Sequence, residues 1–288
     1  MSGLATAEVR FGIVAPKGGT KAALGKRFAE RLSTAAHMPV TSVFADSYDA
    51  LAAMLSNGMV TVAWLPPIPF IALERAKIAI PLVDHHRGGH ARFDAVLIVR
   101  KDSTDRTLYA LRGKRAAWVD PLSAAGYVLP RIQLAALGID PRTVFASERF
   151  YGSHEAAIRA VMDDRADVAG TFARVDENDA VVRGGWSDVP GASDATRVCA
   201  RFGAIPADVT AAHRDVPQAT RDAIASALVV LSSDVETTPL LRELFGVDEF
   251  RTWSGGDYES LRRAMSDAAS RGLLDAVDTP TEGDQSDS

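Results

Sequence analysis

Short β-branched or apolar runs alternate along the chain with longer stretches whose apolar positions recur every three or four residues. That alternation predicts an α/β fold built on mostly parallel strands, with helices supplying the crossovers. Val9 to Val14 reads as the first strand, and Thr20 can cap a helix whose Leu24, Phe28 and Leu32 share one face. A second strand is expected near Val43 to Ala45. Phe93 to Val99 has the unbroken apolar character of a strand buried on both sides, and Lys114 to Asp120 is another strand. From Ser123 the pattern is helical, with Pro130 expected to kink it. After a strand at Thr196 to Ala200, Phe202 to Pro206 carries the chain back, and helices are expected over Gln218–Ser233, Thr238–Phe245 and Tyr258–Gly272. Residues 279–288 contain little to bury and read as a disordered tail.

One unit occurs twice. Ser47-Tyr48-Asp49-Ala50-Leu51 opens with a capping serine, runs as a helix to Asn57-Gly58 and re-emerges as a strand over Met59 to Leu65. Ser153-His154-Glu155-Ala156-Ala157-Ile158 does the same, through Asp163-Asp164 into Ala166-Asp167-Val168-Ala169. The two align without a gap from serine to the pairs Val62-Ala63 and Val168-Ala169. Two similarly built lobes follow from this, with Tyr48 and His154 in equivalent first-turn positions. In open α/β sheets ligands gather beyond the carboxyl ends of the strands, where helix N-termini present free N–H groups, so both residues are candidate contacts.

Composition narrows the function. The 288 residues are 47% hydrophobic and 24% charged, which suits a globular protein with a substantial core and enough length for two units. The net charge of −5 comes from interspersed residues, and no basic face points to nucleic acid. Cys199 is the lone cysteine, which excludes an internal disulfide and a zinc site of paired thiolates. No apolar run reaches the roughly 18 residues of a membrane span, so no membrane insertion is expected. Met1 to Ala7 has neither a basic start nor an apolar core, so the chain reads as cytoplasmic as written, or as periplasmic if a signal lies upstream.

No catalytic constellation or cofactor motif stands out. Gly18-Gly19-Thr20 lacks the spacing of a nucleotide loop, and Gly152-Ser153-His154 sets serine beside histidine without building a triad. Asp84, His85, His86 and His90 suggest a metal at first sight. Adjacent histidines on a strand point to opposite faces, however, and no further ligand recurs at the required spacing, so no metal is expected. Ser123 reads both as an ordinary N-cap and, with the free N–H groups of its helix, as an anion site. Lys17 after the first strand could offer charge or lie solvated, and Trp64 and Phe93 could line a pocket or serve the core.

Several stretches resemble the phosphate/phosphite/phosphonate-binding proteins of ABC transporters. Asp120-Pro121-Leu122-Ser123-Ala124-Ala125-Gly126-Tyr127-Val128-Leu129-Pro130 is similar to that family's Asp-Pro-x-Ser-Thr-Ser-Gly-x-x-x-Pro turn. Gly152 to Ala157 with Ala166 to Ala169, and Val99 to Ser103, resemble two further family stretches, so the likeness runs from Phe11-Gly12 to Phe250 and Tyr258. It implies a type II periplasmic-binding-protein fold. Lobe 1 would comprise residues 7–95 and 203–278 and lobe 2 residues 96–202, with hinge strands between them and the ligand held in the cleft. It further implies non-catalytic binding of a small anion, for delivery to a transporter permease if the protein is exported.

Departures from the pattern bear on the ligand. Ser123 is kept, but Ala124 and Ala125 replace two hydroxyl donors, and Phe93 stands where a tyrosine is common. Trp64-Leu65-Pro66-Pro67 is bulkier than the usual turn after the fourth strand. A buried ligand oxygen left unpaired costs about 1 to 3 kcal/mol, so phosphonate affinity should fall accordingly. The candidate contacts are Tyr48, Ser123, His154, Phe93, Trp64, Lys17, Ala124 and Ala125. A cytoplasmic ligand sensor of the same fold, signalling to a regulator or kinase, is the alternative, with a biosynthetic enzyme ranked after it.

Overall fold

The computed structural model describes residues 8–14, 20–87, 92–105, 107–176, 178, 180–255 and 258–273. In chain order the elements are β1 (Val9–Val14), α1 (Thr20–Ala36), β2 (Val40–Ala45), α2 (Tyr48–Ser56), β3 (Val62–Leu65), α3 (Pro67–Arg75) and β4 (Ala79–His86). They continue with β5 (Arg92–Arg100), β6 (Arg115–Trp118), a π-helical turn over Ala124–Val128, α4 (Leu129–Ala136), β7 (Ser147–Phe150), α5 (His154–Met162), β8 (Val168–Val175) and β9 (Val181–Gly184). The last are α6 (Ala192–Ala195), β10 (Thr196–Pro206), β11 (Val209–His213), α7 (Gln218–Ser232), α8 (Thr238–Phe245), β12 (Glu249–Thr252) and α9 (Tyr258–Ser270). Two compact units result, Met1–Arg92 with Pro206–Tyr258, and Phe93–Ile205 with Glu259–Ser288.

The sheet of the first unit has the order β12-β4-β11-β3-β1-β2. β1 to β4, joined through helices, run one way, whereas β11, entering after the return crossing, lies antiparallel between β3 and β4, and β12, which follows it through α7 and α8, is likewise antiparallel to β4. The sheet of the second unit runs β10-β5-β8-β6-β7, and there β5, which follows the outward crossing, is the antiparallel insert beside β8. The sheets are therefore mixed, where alternation alone suggested mostly parallel ones. A strand that arrives without a helical crossover is free to pair in the opposite direction.

The sequence repeat is a repeat of structure. Val62-Ala63 pair with Phe11-Gly12 on one side and Ala212-Ala211 on the other, while Val168-Ala169 pair with Ala116-Ala117 and Val99-Ile98. Ser47 and Ser153 cap α2 and α5 alike, each Oγ accepting from the third amide on, at 3.1 Å. Arg10 reaches back to the Gly58 carbonyl as Arg115 does to that of Asp164.

Each unit has its own core. Phe11, Phe28 and Phe245 meet edge-on in the first, under Leu32, Leu228 and Leu241. Val96, Ile98, Ile158 and Val161 form the second. The predicted lobe boundaries differ from the observed division in two respects. The chain changes units at 92/93 and 205/206, and the described stretch 259–273 packs with the second unit, where the Leu273 carbonyl accepts from buried Arg131. The predicted tail, 279–288, lies outside the described residues. α3 was hidden from the sequence reading by its prolines. Pro67 and Pro69 fall in the first turn, where the amide they lack would have no partner.

Candidate ligand-binding site

In the first unit the carboxyl ends of β3 and β4 meet the start of β11 and the first turn of α2. Tyr48 is the first residue of α2, fixed by the Ser47 cap, and its ring meets that of Trp64 edge-on at 6.0 Å. The Trp64 indole N–H donates to Asp208 Oδ2 at 3.3 Å. Arg87 forms an ion pair with the same carboxylate oxygen and donates to the Gly246 and Phe245 carbonyls at 2.9 and 3.0 Å. The Arg87 and Asp208 side chains are only 11% and 9% exposed, so each charge depends on the other for compensation. Sequence reasoning missed this pair, since the two residues lie 121 positions apart and neither belongs to a motif.

His85, one strand position deeper, is fully buried, with Nε2 2.9 Å from Thr210 Oγ1 and its ring edge-on to Phe250 at 4.9 Å. Burial, reinforced by the Arg87 and His86 charges, holds it well below the usual histidine range. His85 therefore serves the interior of the sheet. His90, like Lys17, lies outside the described residues.

In the second unit the chain leaves β6 through Asp120-Pro121. Asp120 Oδ1 accepts from the Leu122 amide at 2.7 Å and its carbonyl from the Ser123 amide at 2.9 Å, which turns the chain sharply into a helix. Ser123 Oγ accepts from the Gly126 amide at 3.0 Å. Among the described residues the amides of Ala124 and Ala125 have no acceptor.

The expected kink at Pro130 takes the form of the π-turn. Val128 N–H bonds to the Ser123 carbonyl at 3.0 Å, and the Gly126 carbonyl, which Pro130 cannot serve, accepts from the Val119 amide at 3.3 Å. Only glycine fits at 126, because a Cβ there would lie 2.3 Å from Val119 Cγ2.

His154 opens α5, with Nδ1 2.9 Å from Thr171 Oγ1 and its ring edge-on to Phe172 at 5.0 Å. Phe93 meets the same Phe172 ring at 6.3 Å, and the Arg174 guanidinium sits over it at 5.9 Å. The sequence candidates thus fall into local groups: Tyr48 with Trp64, His154 with Phe93 through Phe172, and Ser123 with Ala124 and Ala125 on one turn. Arg87, Asp208, Thr171 and Phe172 are the additions that only the fold supplies. Within the second unit, the two amides without an acceptor and the Ser123 hydroxyl share one turn and are donors of the kind an anion accepts from.

Comparison with solved structures places the fold. The binding-protein component of an ABC phosphonate transporter from Pseudomonas aeruginosa superposes with a TM-score of 0.77 at 18% identity, over 93% of this chain and 89% of that one. A Prochlorococcus marinus protein in complex with methylphosphonate gives 0.72 at 16% identity, over 91% and 98%. The alkanesulfonate-binding protein of Xanthomonas axonopodis pv. citri, bound to MOPS, gives 0.60 at 18% identity, over 94% and 95%. No curated protein sequence matches the chain. Residues 20–258 match the family model described as ABC transporter, phosphonate, periplasmic substrate-binding protein, and the chain belongs to that family of transporter binding proteins, whose members take up small anions for a membrane permease.

Proposed function

We propose that this protein binds a small phosphonate-like oxyanion without altering it chemically, and presents it to the permease of an ABC transporter. The observation that carries the reading is the Ser123 turn. A serine hydroxyl and the two free amides of Ala124 and Ala125 stand at the start of a helical segment that continues to Ala136. Such a helix end combines unpaired donors with a favourable dipole.

The alanines remove side-chain donors but not backbone ones. Ser123 Oγ spends one lone pair on Gly126 and keeps its O–H to donate. Within the second unit, His154 and Phe93 lie against the Phe172 ring and are the candidates for contact with an organic substituent; Tyr48 and Trp64 form the corresponding aromatic pair of the first unit. No described helix is long and apolar enough to cross a membrane.

Calorimetric titration and thermal unfolding against methylphosphonate, aminoethylphosphonate, phosphite, phosphate and sulfate test the reading. A bound oxyanion at a hundred times its dissociation constant adds about 2.7 kcal/mol of stability. Ser123→Ala should weaken that ligand by about tenfold or more, beyond the roughly 1 kcal/mol that loss of the cap takes from stability. Should no oxyanion raise the unfolding temperature, or should Ser123→Ala bind as the wild type does, the proposal is wrong.

A further inference from the structure

Arg131 is 1% exposed, and it is the largest charged side chain sealed in the protein interior among the described residues. Its guanidinium forms an ion pair with Glu148, donates from Nε to the Leu273 carbonyl at 3.0 Å and stacks over the Tyr127 ring at 5.1 Å. Tyr127 belongs to the π-turn and is itself 1% exposed, packed against Trp118 at 5.7 Å and Phe150 at 4.9 Å. The Trp118 indole N–H closes the ring by donating to Glu148 at 2.7 Å. Arg131, Tyr127, Trp118 and Glu148 therefore form a circuit that joins α4, the π-turn, β6 and β7, with Leu273 tied in from the segment after α9.

The anion turn is poorly anchored by its own side chains. Ala124 and Ala125 offer none that could hold it, and the Ser123 carbonyl is shared by the Tyr127 and Val128 amides at 3.1 and 3.0 Å, so the turn lacks the one-to-one bonding of a regular α-helix. The side chain that seats the turn on the sheet is Tyr127. The guanidinium covers one face of the Tyr127 ring, and its planar fork satisfies carboxylate, carbonyl and ring at once, which a lysine cannot reproduce.

We infer that Arg131 is a positioning residue for the anion site: through Tyr127 it sets the placement of the Ala124 and Ala125 amides, which never touch it. Binding geometry of this kind must be held to about 0.5 Å. The inference rests on the proposal that the Ser123 turn takes the ligand.

Four variants separate positioning from plain stability. Arg131→Met leaves Glu148, 15% exposed, without its cation and should lower stability; Arg131→Lys should recover it in part. Arg131→Met combined with Glu148→Gln removes both charges, so stability should return toward that of the wild type. Val161→Ala, in the second core, is the control that destabilises elsewhere. Each is measured by urea unfolding, by native-state amide exchange over 123–128 referenced to β8, and by calorimetry with methylphosphonate.

The expected result is that both variants carrying Arg131→Met, the single and the double, exchange the turn amides faster and bind methylphosphonate at least about tenfold more weakly. The double variant should do so with its stability restored, and Val161→Ala should show neither effect. Recovery of affinity together with stability in the double variant, or unchanged exchange in the turn, overturns the inference. If the wild-type protein binds none of the oxyanions, the ligand proposal fails by itself, and the exchange measurement alone then decides whether Arg131 holds the turn.

Discussion

Gly170 of β8 lies against the Gly126 carbonyl of the Ser123 turn, and Gly170→Ala gives a direct measure of that contact. A Cβ at this position would sit 2.7 Å from the Gly126 carbonyl oxygen and 2.9 Å from two ring carbons of Trp118. Carbon and oxygen tolerate about 3.3 Å, so one side must move by roughly half an ångström. The ring is locked by its bond to Glu148 and its edge-on contacts with Tyr127 and Phe145, which leaves the turn to yield.

Moving the turn strains the Val119 to Gly126 bond, already 3.3 Å long. Overpacking of this kind costs about 1 to 3 kcal/mol and the bond about 1 more, giving a loss of roughly 2 to 4 kcal/mol. With a urea slope of about 2 kcal/mol/M the midpoint of the second unit should fall by about 1 to 2 M, read by circular dichroism as a separate early transition. Gly203→Ala, where a new Cβ meets nothing within 4 Å, is the control and should be near neutral. Equal stability of the two variants would refute the claim that the turn is seated on Gly170.

Three further outcomes follow from buried groups. His85 is neutral in the folded state because burial holds it below its unfolded value, so its contribution is complete above about pH 6.5 and is lost as pH falls further. The unfolding free energy from urea titrations between pH 7.5 and 5.5 should drop by no more than about 1.4 kcal/mol per pH unit on this account, and His85→Gln should flatten the slope. Asp208→Ala strands the Arg87 guanidinium and frees the Trp64 indole, so a loss of about 3 kcal/mol with a shift in tryptophan emission is expected, and concentrated salt should not reproduce it. The Cys199 thiol is pushed up to about 11 by burial, so alkylation at pH 8 should be slow in native protein and fast in urea.

Local chemistry made much of this protein legible. The period of Leu24, Phe28 and Leu32 locates α1, the serines at 47 and 153 start α2 and α5 where they should, and the Asp120-Pro121 turn with Ser123 marks the helical segment proposed to take the anion. The repeat is legible too, because its capping serines, helix faces and strand pairs are set within a few residues of one another. These features depend on steric and hydrogen-bonding preferences of neighbours in the chain, which sequence records directly.

What tertiary structure decided is everything that joins distant segments. β11, with the weak strand signal of Val209-Thr210-Ala211-Ala212, is a strand because β3 and β4 leave unpaired edges on both sides of it. The equivalent repeat positions 64 and 170 carry tryptophan and glycine, and only the fold explains the difference: in one unit the indole reaches Asp208, in the other the place is taken by the Gly126 carbonyl. Arg87 and Asp208, and Arg131 and Glu148, are single charged residues of no local pattern, and the Leu273 carbonyl that also serves Arg131 is backbone. Their partners are chosen by the need of a buried charge for compensation, a requirement that exists only once packing has removed the water.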